Sequence, residues 1–241
     1  MDLSLLGLGG GLIYILAGWL VQFRGTRREK AFCIQNIPGY NIGNFALPFA
    51  QSFLGPMGVL TTSIFDLGNA MVCLGGSFGV ARAVKEGGKP DFSRIAKAAL
   101  TSIPFLTHVF MVTLNLNSLS LPGPVLTLAE ILSGGNACLS MLMIGVSMKI
   151  SLEKSKLGIM AKVLCTRYSI AAILALCYYY LLPFSLDVRQ TLVILAFAPI
   201  GSMAPVFTAE LEEDVGLAST ISSVAIIISL VIIVTLLTVM L

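Results

Sequence analysis

The sequence predicts an all-α membrane protein of eight transmembrane helices built as an inverted repeat, and three observations predict it. Apolar residues fill 56% of the 241 positions and charged residues only 11%, against roughly 25% charged in soluble domains. Lys and Arg gather in every second connection between apolar runs. A segment punctuated by glycine and proline near residue 45 returns 158 residues later.

A bilayer core of about 30 Å needs about 20 mostly apolar residues per helix. Runs of that kind define eight segments: A, Leu3–Val21; B, Ala31–Phe53; C, Gly58–Val80; D, Ala98–Leu114; E, Val125–Val146; F, Gly158–Leu182; G, Thr191–Phe207; and H, Val215–Leu241. No stretch remains for a separate soluble domain. The first run has no basic lead-in and carries Asp2, which argues against a cleaved signal peptide. Cys33, Cys73, Cys138, Cys165 and Cys177 all fall within apolar runs and form no CxxC pair, so no metal site or disulfide framework is expected. The net charge of +3 is a matter of topology, and no nucleic-acid partner is expected.

Three connections hold 12 of the 15 Lys and Arg residues: Arg24, Arg27, Arg28 and Lys30 after A; Arg82, Lys85, Lys89, Arg94 and Lys97 after C; Lys149, Lys154 and Lys156 after E. The connections between them carry Arg189 as their one cation. The positive-inside rule makes the basic connections cytoplasmic and both termini extracytoplasmic. The acidic connection from G to H, with Glu210, Glu212, Glu213 and Asp214, is cytoplasmic by parity.

Displaced by 158 residues, Asn41-Ile42-Gly43-Asn44-Phe45-Ala46-Leu47-Pro48 aligns with Pro199-Ile200-Gly201-Ser202-Met203-Ala204-Pro205-Val206. At the same offset Gly58 meets Gly216, Thr62 meets Thr220, and Ile15-Leu16-Ala17 meets Ile173-Leu174-Ala175. A, B and C thus match F, G and H with opposite orientation, an arrangement found in many secondary transporters. The chain divides into a first unit of three helices (1–81), a basic linker (82–97) and a second unit of five (98–241). D and E have no counterpart ahead of A, so two helices of the first unit are expected to be missing.

Proline inside a helix cannot donate to the carbonyl four residues back, so Pro48 is expected to free the carbonyl of Asn44, and Pro205 that of Gly201. Gly39, Gly43, Gly201, Pro38 and Pro199 loosen the same stretches. B and G should break near mid-membrane, where freed backbone is tolerated only against protein or a water-filled cavity. Crossing breaks would bring half-helix ends together and hold an anion, with Asn41, Asn44 and Ser202 adding directional hydrogen bonds. Ordinary proline kinks would read alike, but recurrence at one repeat position favours a site. Of the intramembrane ionisable residues, Asp66 with Asn69 on the same helix face is the leading protonatable coupling pair, or else a hydrogen-bonded structural carboxyl. Glu130 and His108 are further coupling candidates, each without a nameable partner. Arg167 is either buried or snorkels to the cytoplasm, and Lys162 ahead of it favours snorkelling. No phosphate-binding loop, hydrolase elbow or His-rich metal site is present, so neither an enzyme nor a cofactor is expected.

Tyr40-Asn41-Ile42-Gly43-Asn44-(x3)-Pro48, Phe53-Leu54-Gly55-(x2)-Gly58 and Asp66-(x2)-Asn69 form an ordered set. With Glu130-Ile131-Leu132, Gly145, Ala198-Pro199-(x5)-Pro205-Val206, Glu210 to Gly216 and Ser219, this set resembles the auxin efflux carrier family of membrane transport proteins, in the bile acid/sodium symporter-like superfamily. The resemblance spans nearly the whole chain. It implies ten helices in two inverted five-helix repeats, the fourth and ninth broken and crossing, so that A to H are the third to tenth. It implies a bacterial inner-membrane permease exporting or exchanging small organic anions, dicarboxylates or auxin-like acids, by elevator movement of a core against a scaffold. The expected partners are the organic anion, membrane lipid and a second copy through the scaffold helices. The alternatives are a truncated fragment without transport, or a membrane receptor that binds an anion without moving it.

Overall fold

The computed structural model describes residues 2–89, 103–150 and 153–240, and every regular element among them is helical. Helix α1 (Leu3–Val21) opens on Asp2, whose carboxylate accepts the Ser4 amide at 3.0 Å and satisfies an orphan donor of the first turn. Helix α2 (Arg27–Asn36) opens on a capping box in which Thr26 and Glu29 bond each other's backbone amides. The chain then runs irregularly to Asn41, makes a π-helical turn at Ile42–Ala46 and continues as α3 (Leu47–Phe53). Next come α4 (Gly55–Met71), a second π turn (Val72–Gly76) and α5 (Ser77–Glu86), stopped by Gly87 in the left-handed conformation. The remaining elements are α6 (Ile103–Leu116), α7 (Gly123–Ser147), a 3-10 turn (Lys154–Lys156), α8 (Leu157–Leu181), α9 (Leu186–Ala196), α10 (Ala204–Glu210) and α11 (Val215–Met240).

Segment A coincides with α1, whereas B and G are each two helices separated by irregular chain. Segment C is extended to Glu86, so Arg82 and Lys85 of the expected linker are helical; residues 90–97 of that linker lie outside the described residues. Among the described residues four helices are long and apolar enough to cross a membrane: Leu3–Val21, Gly55–Glu86, Leu157–Leu181 and Val215–Met240. Gly123–Asn136 with Cys138–Val146, bent by 40°, makes a fifth if taken as one span. Leu16, Ile131, Val146, Val231 and Val239 are each more than half exposed on the helix exteriors. Surfaces of that kind are solvated by lipid and aggregate in water, so they are compatible with an integral membrane protein.

The tightest helix pair is α1 with α4, and glycine makes it so. A Cβ on Gly68 would stand 1.8 Å from the Ser4 carbonyl oxygen, and one on Gly7 2.1 Å from that of Phe65. Small residues that let backbones touch are how helices associate where no water remains to drive them together. Behind this pair lies the core of Tyr14, Phe65, Leu192, Leu195, Ala218 and Ile221, all fully buried.

At one end of the bundle an acidic turn gathers cations from all three basic connections. Glu213 accepts from Arg28 at 3.0 Å and pairs with Lys85 at 3.3 Å, while Asp214 pairs with Lys156 at 2.8 Å. Arg28 also bonds the Glu212 carbonyl, and Lys85 that of Leu211. Asp214 accepts the Leu217 amide at 2.9 Å as well, capping α11.

Gly68→Ala is expected to push α1 from α4 and cost about 3 kcal/mol, whereas Gly9→Ala, whose added Cβ meets nothing within 4 Å, should be neutral or slightly stabilising; thermal melts in detergent separate the two. The hydrogen bond from Lys156 holds the Asp214 carboxyl below its ordinary range. A folded-state pKa below the unfolded one stabilises above the ordinary value of about 3.9 and loses its effect as pH falls through the lowered one. The melting-temperature gap between wild type and Asp214→Asn should therefore be present at about pH 6 and close below about pH 4.

Candidate functional site

Two breaks in helical structure meet inside the bundle. In the first, α2 ends at Asn36 and the chain passes through Ile37, Pro38, Gly39, Tyr40 and Asn41 before turning helical again at Ile42. Gly39 has φ +79°, a left-handed value that side chains disfavour, and a Cβ there would strike the Cys73 sulfur at 2.6 Å. In the second, α9 ends at Ala196 and helix resumes at Ala204. The breaks are bonded to each other: the Asn41 amide donates to the Pro199 carbonyl at 2.8 Å, and Asn44 Nδ2 donates to Ser202 Oγ at 3.3 Å.

The position of the second break corrects the expectation for Pro205. Pro205 sits in the first turn of α10, where a missing N–H leaves no bond unmade, whereas Pro48 follows the π turn without a gap and lies inside one helical run, 42–53. The Gly201 carbonyl is not freed; it accepts the Ala204 amide at 3.0 Å. Ahead of Pro48 the wide π turn, with Ala46 N–H bonded to the Asn41 carbonyl, gives the ring room. Irregular chain comes instead from Pro38-Gly39 and Pro199 to Gly201, several residues upstream.

Arg167 also departs from expectation: it is buried at 1% exposure and does not snorkel. Its guanidinium donates through Nη1 to the Ile37 carbonyl and through Nη2 to the Ala198 carbonyl at 2.7 Å. These carbonyls lie just past the C-terminal ends of α2 and α9, where helix dipoles concentrate negative charge. The rings of Tyr14 and Tyr40 flank the cation at 5.1 and 5.5 Å. One planar cation thus serves both breaks, a task that matches the fork geometry of arginine.

A cavity of about 230 Å³ is bounded by both breaks and by α4. Asn41, Gly43, Asn44, Gly201, Ser202, Asp66 and Asn69 share its wall. Asn69 is 2% exposed and bonds the backbone of Tyr40 in both directions, donating to its carbonyl and accepting its amide at 2.9 Å each. It therefore replaces the helical bonds that the break removes, and it donates at 2.8 Å to Asp66 as well. Pro48 and Pro199 do not line the cavity, and Pro205 lines a smaller neighbouring one. Glu130 is exposed on α7, and His108 lies on α6 with its side chain outside the described residues.

Gln35, Cys73 and Ser77 also line the cavity and were not singled out from the sequence. Ser77 Oγ donates to Gln35 Oε1 at 3.3 Å, and Cys73 Sγ to Asn69 Oδ1 at 3.3 Å. For Cys73 and Ser77 the signal is the spacing Asp66, Asn69, Cys73, Ser77, a polar stripe at helical intervals.

Arg167→Met should leave both break carbonyls without their charged donor and destabilise the fold by about 3–5 kcal/mol. Arg167→Lys keeps the charge but loses the fork, and its melt should fall between wild type and Arg167→Met.

No family model matches the chain, and neither a curated protein nor a solved structure matches it.

Proposed function

We propose that the chain is a secondary transporter for small organic anions, of the auxin efflux carrier type, with eight spans in a 3+5 inverted repeat and the substrate at the crossing of the two breaks. The observation that carries this reading is the spacing of the contacts between the breaks. Asn44 bonds Ser202 and Asn41 bonds Pro199, and in each pair the partners are 158 residues apart, the offset at which the sequence repeats. In a molecule with a pseudo-two-fold axis, a residue beside the axis meets its own counterpart. Two such meetings at one cavity support an axis running through it.

The acidic turn supports the topology. Arg28, Lys85 and Lys156 belong to the three basic connections, and all reach the connection between G and H. Four connections at one end are what alternate crossing requires, with both termini then at the other, extracytoplasmic end.

For the substrate, Asn44, Asn41 and Ser202 supply hydrogen-bond donors, and the Arg167 cation, bonded to the backbone of both breaks, is a source of positive potential. Among the described residues no carboxylate pairs with Arg167. Asp66 on the cavity wall, when ionised, repels an anion, so uptake of a proton there couples to binding. Lipid and a second copy through α6 and α7 are the proposed partners, and a bacterial inner membrane the proposed location.

In proteoliposomes, Asn44→Ala should lower carboxylate flux about tenfold, the equivalent of one lost hydrogen bond to a charged group. Unchanged flux in a folded variant would sink the proposed site.

A further inference from the structure

Where α1 gives way to α2, aromatic and cationic side chains share one exposed corner of the bundle. Trp19 and Phe23 meet edge-on with ring centroids 5.1 Å apart. Both are open to the surroundings, Phe23 more than Trp19. Lys30 comes back from the start of α2 and lays its ammonium over both rings, 5.6 Å from Phe23 and 5.9 Å from Trp19. A ring face holds a cation without neutralising it, so the ammonium is fixed in place and keeps its charge. Arg24 and Arg27 add two exposed cations to the same stretch, and Arg27 reaches across to Gly87 at the end of α5. The acid of this stretch is folded back on itself, since Glu29 accepts from the Thr26 amide and hydroxyl. Arg28, the fourth cation, is committed to Glu213.

The helix that leads to this corner is apolar on its outer face. Leu5, Leu12, Leu16 and Leu20 recur at helical intervals, each more than half exposed, and a Cβ added to Gly9 among them would meet nothing within 4 Å. Tryptophan beside Lys and Arg is the composition of a membrane–water interface, where clustered cations attract anionic headgroups. A free phosphate would use the cations alone, whereas a phospholipid uses the cations and the leucine face together. We infer that the α1–α2 corner binds an anionic phospholipid, its headgroup phosphate against Lys30, Arg27 and Arg24 and an acyl chain along Leu20, Leu16 and Leu12. The guanidinium forks suit phosphate oxygens. This rests on membrane insertion with the corner at headgroup level, gives a class to the lipid partner proposed above, and holds whether or not the chain carries an anion.

Trp19 is the single tryptophan of the chain, so its fluorescence reports on this corner alone. The test reconstitutes the full chain into equimolar phosphatidylglycerol and phosphatidylcholine, with quenching bromines on the acyl chains of one lipid or of the other. Surface charge is then the same in both preparations, and only the lipid beside Trp19 decides the quenching. Brominated phosphatidylglycerol should quench more strongly, corresponding to a preference of about fivefold or more, since each cation near a headgroup contributes about that factor. Lys30→Gln with Arg27→Gln should reduce the preference to about twofold or less, whereas Lys30→Arg should retain it. Equal quenching by the two lipids in the wild type would overturn this inference and leave membrane insertion standing. A preference undiminished in the double variant would overturn it too, as would its loss on adding excess glycerol phosphate, which marks a site for free phosphate. Absence of quenching by either lipid would overturn both the inference and the insertion of this end. The wild-type comparison needs no variant, so the inference is exposed to failure even if the double variant does not fold.

Discussion

The guanidinium of Arg167, forked onto the Ile37 and Ala198 carbonyls, is the contact on which the middle of the molecule depends. Interrupting a helix among apolar neighbours strands peptide groups that water would otherwise serve, and here two interruptions lie side by side. A cation at that depth is itself costly, yet it meets two carbonyls at helix C-terminal ends and two aromatic faces. Each feature makes the other tolerable: the breaks hold the charge and the charge holds the breaks.

Local clips complete what this clamp begins. Asn69 bonds Tyr40 in both directions, and buried Asn36 donates to Thr208 Oγ1 at 3.0 Å, tying α2 to α10 across the bundle. Edge-on contacts from Tyr14 to Tyr40 and from Tyr40 to Phe65 fill the space beneath the first break. Because these groups bond backbone as well as side chains, the polar stripe from Asp66 to Ser77 has two duties. It walls the cavity, and it supplies the hydrogen bonds that an unbroken helix would make for itself.

What the sequence shows of this follows from how local each cause is. Helix α1 is legible to its ends because a bilayer-length apolar run begins at an Asp2 cap and stops before charged residues. The presence of breaks in B and G is legible from clustered Pro and Gly, but their position is not. A proline at a first helical turn and one at an interior turn look alike until the first turn is known, and this misplaced the role of Pro205. The fate of Arg167 was hidden more deeply, since its partners lie 130 and 31 residues away and nothing near it in the chain reports them. Asn41, Asn44, Gly201, Ser202, Asp66 and Asn69 share one cavity wall because the same breaks that marked them create the space. Glu130 shows the reverse: a single carboxylate in an apolar run does not say which face it occupies, and it is exposed.

The distance between Arg167 and its partners also has a meaning in the order of synthesis. The Ile37 carbonyl is made 130 residues before the guanidinium that binds it, an interval on the order of ten seconds at ribosomal rates. Asn69, only 29 residues after Tyr40, is available much sooner. The first break is thus clipped early by a neutral amide and clamped late by a cation, so the nascent first half waits for the second before its backbone is fully satisfied.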